Sequence, residues 1–372
     1  MSISSRTCSP ALIAVALLCL AAGGCSASSP QSTAPSDERA ATRQIEKLLS
    51  DAVLAKYRAG ERPAQRDAHA KAQGCVKAHF AVLANIPKGL RVGIFSQARV
   101  YTAWIRFSNA SGTNDHFGLA HGMAIKLTGV PGLKILPSEV HETTQDFLLV
   151  NYPIFNIATA PEYVDFLTSS QNGQLATFFR EHPNAARITN AISAQRISSP
   201  LLQRYFSMTP YALGARDVKY SAQPVSCVTG IPLRDDGTSP LPGDPNYLGK
   251  AMAVALSRGP SCFAFMLQAR TDPQTMPLED STVLWDEKRA PFVTVATMTI
   301  PQQRFDSSAQ QTFCENLSYT PWHSLPADRP LGFVNRIRRV VYTAISTLRH
   351  RLNGVQRQEP TGHEHFQGSP TW

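Results

Sequence analysis

Three features of the sequence predict an α+β fold built as one large domain. Strand-like runs crowd residues 74 to 150, more follow between 251 and 300, and helical periodicity brackets them near residues 37 to 59 and 331 to 352. With 43% hydrophobic residues over 372 positions, the chain can bury a substantial core. No internal repeat and no linker interrupts residues 60 to 352, so one domain with a sizeable antiparallel barrel or sheet fits better than two.

The chain begins MSISSRTCSPALIAVALLCLAAGGC, with a lone Arg6, an apolar run from Ala11 to Ala22 and small residues leading into Cys25. This is the pattern of a secretory signal, and the run is too short for a comfortable membrane span. The small residues before Cys25 resemble a bacterial lipoprotein cleavage box, whose cysteine would be acylated, although Ala22 stands where that box usually has Leu. Simple cleavage and an uncleaved anchor are the competing readings. The expectation is an exported protein, periplasmic or anchored at the outer membrane by an N-terminal lipid. The formal charge of +9 and pI near 9.3 favour anionic partners, but export argues against nucleic acid. Residues 26 to 36, rich in Ser, Ala, Pro, Gln and Thr, read as a flexible tether.

From residue 37 to 59, Ile45, Leu48, Leu49, Val53 and Leu54 recur at amphipathic-helix spacing, with Ser36 available as the N-cap. The runs VKAHFAVL, YTAWIRFS, GMAIKLTG and DFLLVN then read as antiparallel strands between Gly, Pro and Asn turns. Residues 161 to 193 look helical with an interruption at Pro183. AMAVALSRG, CFAFMLQAR and FVTVATMTI read as further strands, and residues 331 to 352 return to helical periodicity. The domain is expected to span residues 37 to 354. The tail from 355 to 372, with HisGluHis at 363 to 365, lacks a packing pattern and reads as a disordered end, with adventitious metal binding as a minor alternative. Beyond Cys25 the cysteines are Cys75, Cys227, Cys262 and Cys314. Export permits disulfides, the three pairings stay open, and unpaired buried thiols are the alternative.

Four segments carry candidate chemistry. In RDAHAKAQGC, His69 follows Arg66 by three residues and has the side chain best suited to moving a proton near neutral pH. In YTAWIRFSNASG, strand alternation puts Arg106 and Ser108 on one face with Trp104, and Ile105 and Phe107 on the other. A buried guanidinium there needs a carboxylate from the protein or from a ligand. In QDFLLVNYPIFNI, a buried-looking strand ends at Asn151, whose amide can orient a bound oxygen species without titrating. In RRVVYTAISTLRHR, Arg338, Tyr342 and Arg349 fall within a helical stripe about 40° wide. A guanidinium beside a phenol favours phenolate, a hard oxygen ligand suited to ferric iron. Each segment also has a plainer reading: a structural His, a wet face, a turn-forming Asn, or a basic helix that is solvated or lies on a membrane.

In this order, HAKAQG, RFSNASG, LVNYPIFNI and RRVVYTAISTLRHR resemble motifs of the haem catalase family, and most closely its smaller catalase-related haem proteins, over roughly residues 60 to 352. The resemblance implies an antiparallel β-barrel core with surrounding helices and a b-type haem with ferric iron. It implies His69 as the distal histidine, Ser108 as its partner, Asn151 as the distal amide and Phe155 as a pocket aromatic. Tyr342 would be the proximal iron ligand, kept ionised by Arg338, and Arg66, Arg106 and Arg349 would meet the haem propionates. The implied chemistry is cleavage of the O–O bond of hydrogen peroxide, with His69 moving a proton and a second peroxide or an organic electron donor completing the cycle.

Departures from the family pattern bear on that second half. Asn156 stands where a Phe is usual, which predicts a more polar distal channel. Ala68 replaces a Val, Ser346 a His, and His121 precedes Gly122 where Arg is customary, so a roomier and wetter pocket is expected. Conversion of organic hydroperoxides and haem binding without turnover are the remaining alternatives. Intact His69 and Asn151 argue against the last.

Overall fold

The computed structural model describes residues 35–66, 68–110, 114–116, 120–228, 230, 233 and 243–372. The signal segment, Cys25 and nearly all of the tether lie outside the described residues. Nine strands share one antiparallel sheet: β1 Lys71–Val82, β2 Val100–Asn109, β3 His121–Leu127, β4 Gln145–Val150, β5 Tyr205–Phe206, β6 Tyr211–Leu213, β7 Arg216–Val225, β8 Ser261–Ala269 and β9 Phe292–Ile300. Their order is β5-β4-β3-β2-β1-β9-β8-β7-β6, and β5 also pairs with β7. That pairing closes eight strands into a barrel and leaves β6 as a hairpin partner of β7 alone. Eight strands enclose a space that side chains can fill. Phe80, Phe147, Tyr220 and Phe265 meet there with ring centroids 4.9 to 6.1 Å apart, surrounded by Ile105, Phe107, Ile125 and Leu267.

The helices among the described residues are α1 Ser36–Arg58, α2 Ala160–Gln171, α3 Leu175–Glu181, α4 Pro183–Ser193, α5 Tyr247–Arg258, α6 Ser308–Asn316 and α7 Phe333–Asn353. On α1, Ile45, Leu49 and Val53 form the apolar stripe the sequence predicts, and they pack with Val164 of α2 and Val334, Ile337, Val341 and Ile345 of α7 in a second core outside the barrel. Ser36 is the first helical residue and not the cap. Pro35 takes the cap position and offers no side-chain bond. Pro183 breaks the predicted helical stretch between α3 and α4, where its missing N–H is harmless at a helix start.

Residues 251 to 258, expected as strand, belong to α5. The buried residues Leu248, Ala251, Met252 and Leu256 recur every three or four positions, and reading the apolar run without Leu248 hid that period. Strand β7 carries polar and charged residues at Arg216, Asp217, Lys219 and Gln223, which masked its alternation, and α6 was equally concealed by its Ser and Gln content. The four described cysteines form two disulfides, Cys75–Cys314 and Cys227–Cys262. The first ties α6 to β1.

The tail is packed, contrary to the expectation of a disordered end. Trp104 Nε1 donates to Glu364 at 3.1 Å, and Trp372 stacks on His79. Since Glu364 faces inward while His363 and His365 are exposed, the HisGluHis run does not converge on a metal. Farther back, Glu359 enters a buried ionic network. Lys126 Nζ bonds Asp146 at 2.8 Å and Glu359 at 2.6 Å, His323 contacts Asp146 and Glu139, and Arg357 bonds Glu139 and Glu359. Glu139, His323 and Glu359 lie close enough to share an ion, but Lys126 and Arg357 already supply the positive charge there. The period-two alternation of β3 sends Lys126 out of the barrel, and pairing is what makes its burial tolerable.

This clip should make stability acid-sensitive. Burial pushes the Glu139 and Glu359 carboxyls up, but their cationic neighbours prevail and hold both at about 2, below the ordinary 4.5. Because the folded value is depressed, the stabilisation is complete above about pH 4.5 and lost as pH falls toward 2. Urea denaturation across that range should show the loss, with Glu359→Gln removing about 3 kcal/mol of the pH-dependent part.

Candidate functional site

Outside the barrel wall, a cavity of about 240 Å³ lies between the outer face of β2 and β3, the 66–69 segment, and helices α1 and α7. It brings together Arg66, His69, Arg106, Ser108, Phe155, Arg338, Tyr342 and Arg349 from four separate stretches of chain. Of the residues singled out in the sequence, Asn151, Asn156 and His121 are not on its lining.

His69 sits in the left-handed backbone region, with φ +54, which a non-glycine residue rarely adopts without support. Support comes from Arg66, whose Nε donates to the His69 carbonyl at 3.0 Å and whose Nη2 donates to that of Ala70 at 3.3 Å. The imidazole lies on a shelf made by strand register. Ser108 of β2 is directly opposite Gly122 of β3, and His69 Nδ1 is 3.3 Å from Ser108 Oγ. A Cβ on Gly122 would stand 2.7 Å from Ser108 Oγ and 2.9 Å from His69 Nδ1, so only glycine leaves room for the ring. Burial, then the charges of Arg106, His121, Arg66 and Arg338, lower the His69 pKa to about 3. At neutral pH the ring is therefore uncharged and able to take up a proton.

Asn151 ends β4 with its amide already engaged. Its Oδ1 accepts from the His121 backbone N–H at 2.8 Å, and its Nδ2 donates to Gln195 Oε1 at 2.6 Å. Asn156, expected to make the cavity more polar, instead turns its Nδ2 to Thr189 Oγ1 at 3.0 Å and does not line it. Phe155 does line it, edge-on to Tyr163 at 5.6 Å. Ala68 and Ser346 reach the cavity as well, and Ser346 Oγ bonds Ser318 Oγ at 2.5 Å.

The opposite wall is α7. Ile337, Arg338, Val341, Tyr342, Ile345, Ser346 and Arg349 face the cavity, which is the stripe predicted from helical geometry. Arg338 is held by Asn335 Oδ1 at 3.2 Å and Thr209 Oγ1 at 3.4 Å, one turn before Tyr342. Of the remaining basic residues, Arg351 is exposed, Arg339 lies over the Trp322 ring, and Arg336 and His350 are engaged by the protein. Arg336 is bidentate to Glu38, at 2.7 Å twice, and also reaches Glu279, while His350 is buried against the Asn316 carbonyl. The surface-helix alternative for this segment is thereby set aside: Arg338 and Arg349 are among its buried residues.

A carboxylate does meet the arginines, and it comes from the protein. Glu315, at the end of α6, takes Arg66 Nη1 at 2.8 and 2.9 Å and lies 3.6 Å from Arg349. Arg349 also donates to the carbonyls of Glu315 and Leu317. Arg106 is only 7% exposed, stacks over the Tyr319 ring at 4.6 Å, and has no hydrogen-bond partner for its Nε. Burial and then the neighbouring Arg66 lower the pKa values of Arg106 to about 9 and Arg349 to about 10. Three guanidiniums gather here against one carboxylate, which contacts Arg66 and Arg349 but not Arg106, so two positive charges are left unmatched, a deficit suited to a dianionic ligand. Together with the Tyr342 phenol on the facing wall, this donor set fits haem: carboxylates at the arginines and a hard oxygen ligand for iron.

Gln195, Glu315 and Tyr319 were not found by sequence reasoning, and Gly122 was noted only beside His121, not as the seat of His69. Gly122 could have been noticed once HGMAIKL was paired with YTAWIRFS, but nothing local marks Glu315. Replacing Glu315 by Gln should destabilise the fold by about 3 kcal/mol, because Arg66 loses its charged partner. Equilibrium urea unfolding at neutral pH measures this directly.

No protein-family model and no curated protein matches the sequence. Solved structures do. A fungal catalase superposes with a TM-score of 0.55 at 18% identity, covering 81% of this chain and 61% of that one. A bacterial catalase superposes with a TM-score of 0.60 at 16% identity, covering 93% and 68%. The chain thus spans about three fifths of the fungal catalase, and at these identities the likeness establishes a catalase-like fold.

Proposed function

We propose that the chain is a haem-dependent oxidoreductase that consumes hydrogen peroxide in the cell envelope, by dismutation or by reduction at the expense of an organic donor. The observation that carries this reading is the neutral His69 imidazole, seated on Ser108 and Gly122, sharing one cavity with Tyr342 and the unmatched arginine charges.

In this reading Tyr342 ligates the iron and Arg338 supplies the positive charge beside an anionic ligand oxygen. Arg66, Arg106 and Arg349 receive the propionates, and Ile45, Leu49, Ile337 and Val341 supply apolar contact. Bound ferric haem supplies the redox centre that accepts oxidising equivalents from peroxide. His69 would take a proton from one peroxide oxygen and return it to the other as the O–O bond breaks; the two electrons and two protons that bring both oxygens to water come from a second peroxide, which leaves as dioxygen, or from an organic donor. With Nδ1 against Ser108, Nε2 is the nitrogen left for this transfer. Asn151 gives one of its two amide hydrogens to Gln195 and is not on the cavity lining; to orient peroxide it would have to turn toward the cavity, and as it stands it holds the His121 end of β3. The two disulfides support an oxidising compartment, in keeping with export and lipid anchoring at Cys25. Haem binding without turnover is disfavoured because it gives no reason for a strained, uncharged His69.

The test is to load the mature protein with haem and compare the wild type with Tyr342→Phe and His69→Ala. Tyr342→Phe should change the ferric absorption spectrum. His69→Ala should keep the haem and lower peroxide consumption about a hundredfold or more. A spectrum indifferent to Tyr342 would falsify the proximal assignment, and undiminished consumption by His69→Ala would remove that residue from the mechanism.

A further inference from the structure

Among the described residues, His69 and Met208 are the two non-glycine positions whose backbone lies in the left-handed region, Met208 with φ +58. A methionine rarely adopts that conformation, and residues that do are held there by their surroundings and gather at functional sites. Here the neighbours on both sides are fully buried. The Thr209 N–H donates to the Ser207 carbonyl at 2.7 Å, closing a γ-turn with Met208 at its centre, and Ser207 Oγ donates to the Thr209 carbonyl at 2.8 Å. Ser207 is itself pinned to β7: its N–H donates to the Tyr220 carbonyl at 2.9 Å, and its Oγ accepts the Tyr220 N–H at 3.0 Å.

This turn belongs to the candidate site through two adjacent residues. Met208 lines the cavity that holds His69 and Tyr342. Thr209 Oγ1 accepts from Arg338 Nη1 at 3.4 Å and donates to Asn335 Oδ1 at 3.2 Å. We propose that Met208 is a modification site, its thioether oxidised to the sulfoxide by peroxide in this cavity, and that the strained turn passes the change to Arg338 through Thr209. The inference rests on the peroxide-consuming reading for the supply of oxidant and for the part played by Arg338.

The step balances without a further reactant. The peroxide O–O bond breaks, one oxygen forms a new bond to Met208 Sδ, which is oxidised by two electrons, and the other oxygen leaves as water with both protons. Burial makes the reaction selective. Met123, Met252, Met276 and Met298 are at most 1% exposed, and Met123, which borders the same cavity, is packed with Ile125 in the barrel interior. Met208 is 7% exposed, and the half-buried Met266 of β8 lies off the cavity, where it reports peroxide in bulk solution. The sulfoxide is bulkier and polar, and a turn bonded this closely takes up the added oxygen only by giving up a contact. The longest of its bonds is the one from Arg338. Loosening it moves positive charge away from Tyr342, so the modified chain should consume peroxide more slowly.

The experiment treats the haem-loaded full chain with stepwise hydrogen peroxide, comparing the wild type, Met208→Leu and Thr209→Val. Peptide masses locate the added oxygen, and the ferric absorption spectrum follows the site. The wild type should gain one oxygen at Met208 about tenfold faster than at Met252 or Met298, with a spectral shift that Met208→Leu lacks. Thr209→Val, which removes only the hydroxyl that holds Arg338, should show that shift before any peroxide is added. Oxidation of Met266 with Met208 unmodified would overturn the modification site and leave the peroxide reading standing. A Met208 sulfoxide whose spectrum stays unshifted would overturn the link to Arg338. A chain that takes up no haem overturns the peroxide reading; the mass measurement on that haem-free chain still decides the modification site, because peroxide oxidises a thioether without a cofactor.

Discussion

The alternation of side chains along β2 is the constraint on which the rest depends. Ile105 and Phe107 enter the aromatic interior of the barrel, so Arg106 and Ser108 must face outward. A slip of one residue would drive a guanidinium into a core of phenylalanines, at a desolvation cost of several kcal/mol, and would expose two large apolar side chains. The same register sets Ser108 against Gly122, which is the seat of His69. Core packing and the geometry of the candidate site are therefore one decision, taken by the barrel.

Because both faces of β2 and β3 are covered, the outer face has to satisfy its own polar groups. It does so in two ways. Lys126 is neutralised by Asp146 and by Glu359 from the tail, which makes the last residues of the chain part of the fold. Arg66 and Arg349 are neutralised by Glu315, delivered by α6, whose neighbour Cys314 is bonded to Cys75 of β1. Arg106 has no such protein anion, only the face of Tyr319. A guanidinium left without an anion on the wall of a cavity can be satisfied by an anionic ligand there.

The imidazole of His69 shows how backbone strain, register and charge combine. Arg66 holds the left-handed loop through two carbonyls, glycine in β3 makes room, and surrounding positive charge keeps the ring neutral. Glu315 in turn holds Arg66.

The sequence by itself determined the elements whose signal is local and periodic. Four strands of the first half, α1 and α7 were legible from alternation or from a 3.6-residue stripe, and so were the co-facing positions Arg106 with Ser108 and Arg338 with Tyr342 and Arg349. It failed at α5, where an apolar run is compatible with either period, and at β7 and α6, where polar residues conceal burial on one face. It also failed at the tail, because the partners of Glu359 and Glu364 lie more than two hundred residues away. Only the tertiary structure decided barrel closure through β5 and β7, the disulfide pairing, the part played by Gly122 and Glu315, and the engagement of Asn151 with Gln195. Each of these is a contact between distant segments, and no local propensity encodes the partner at the other end.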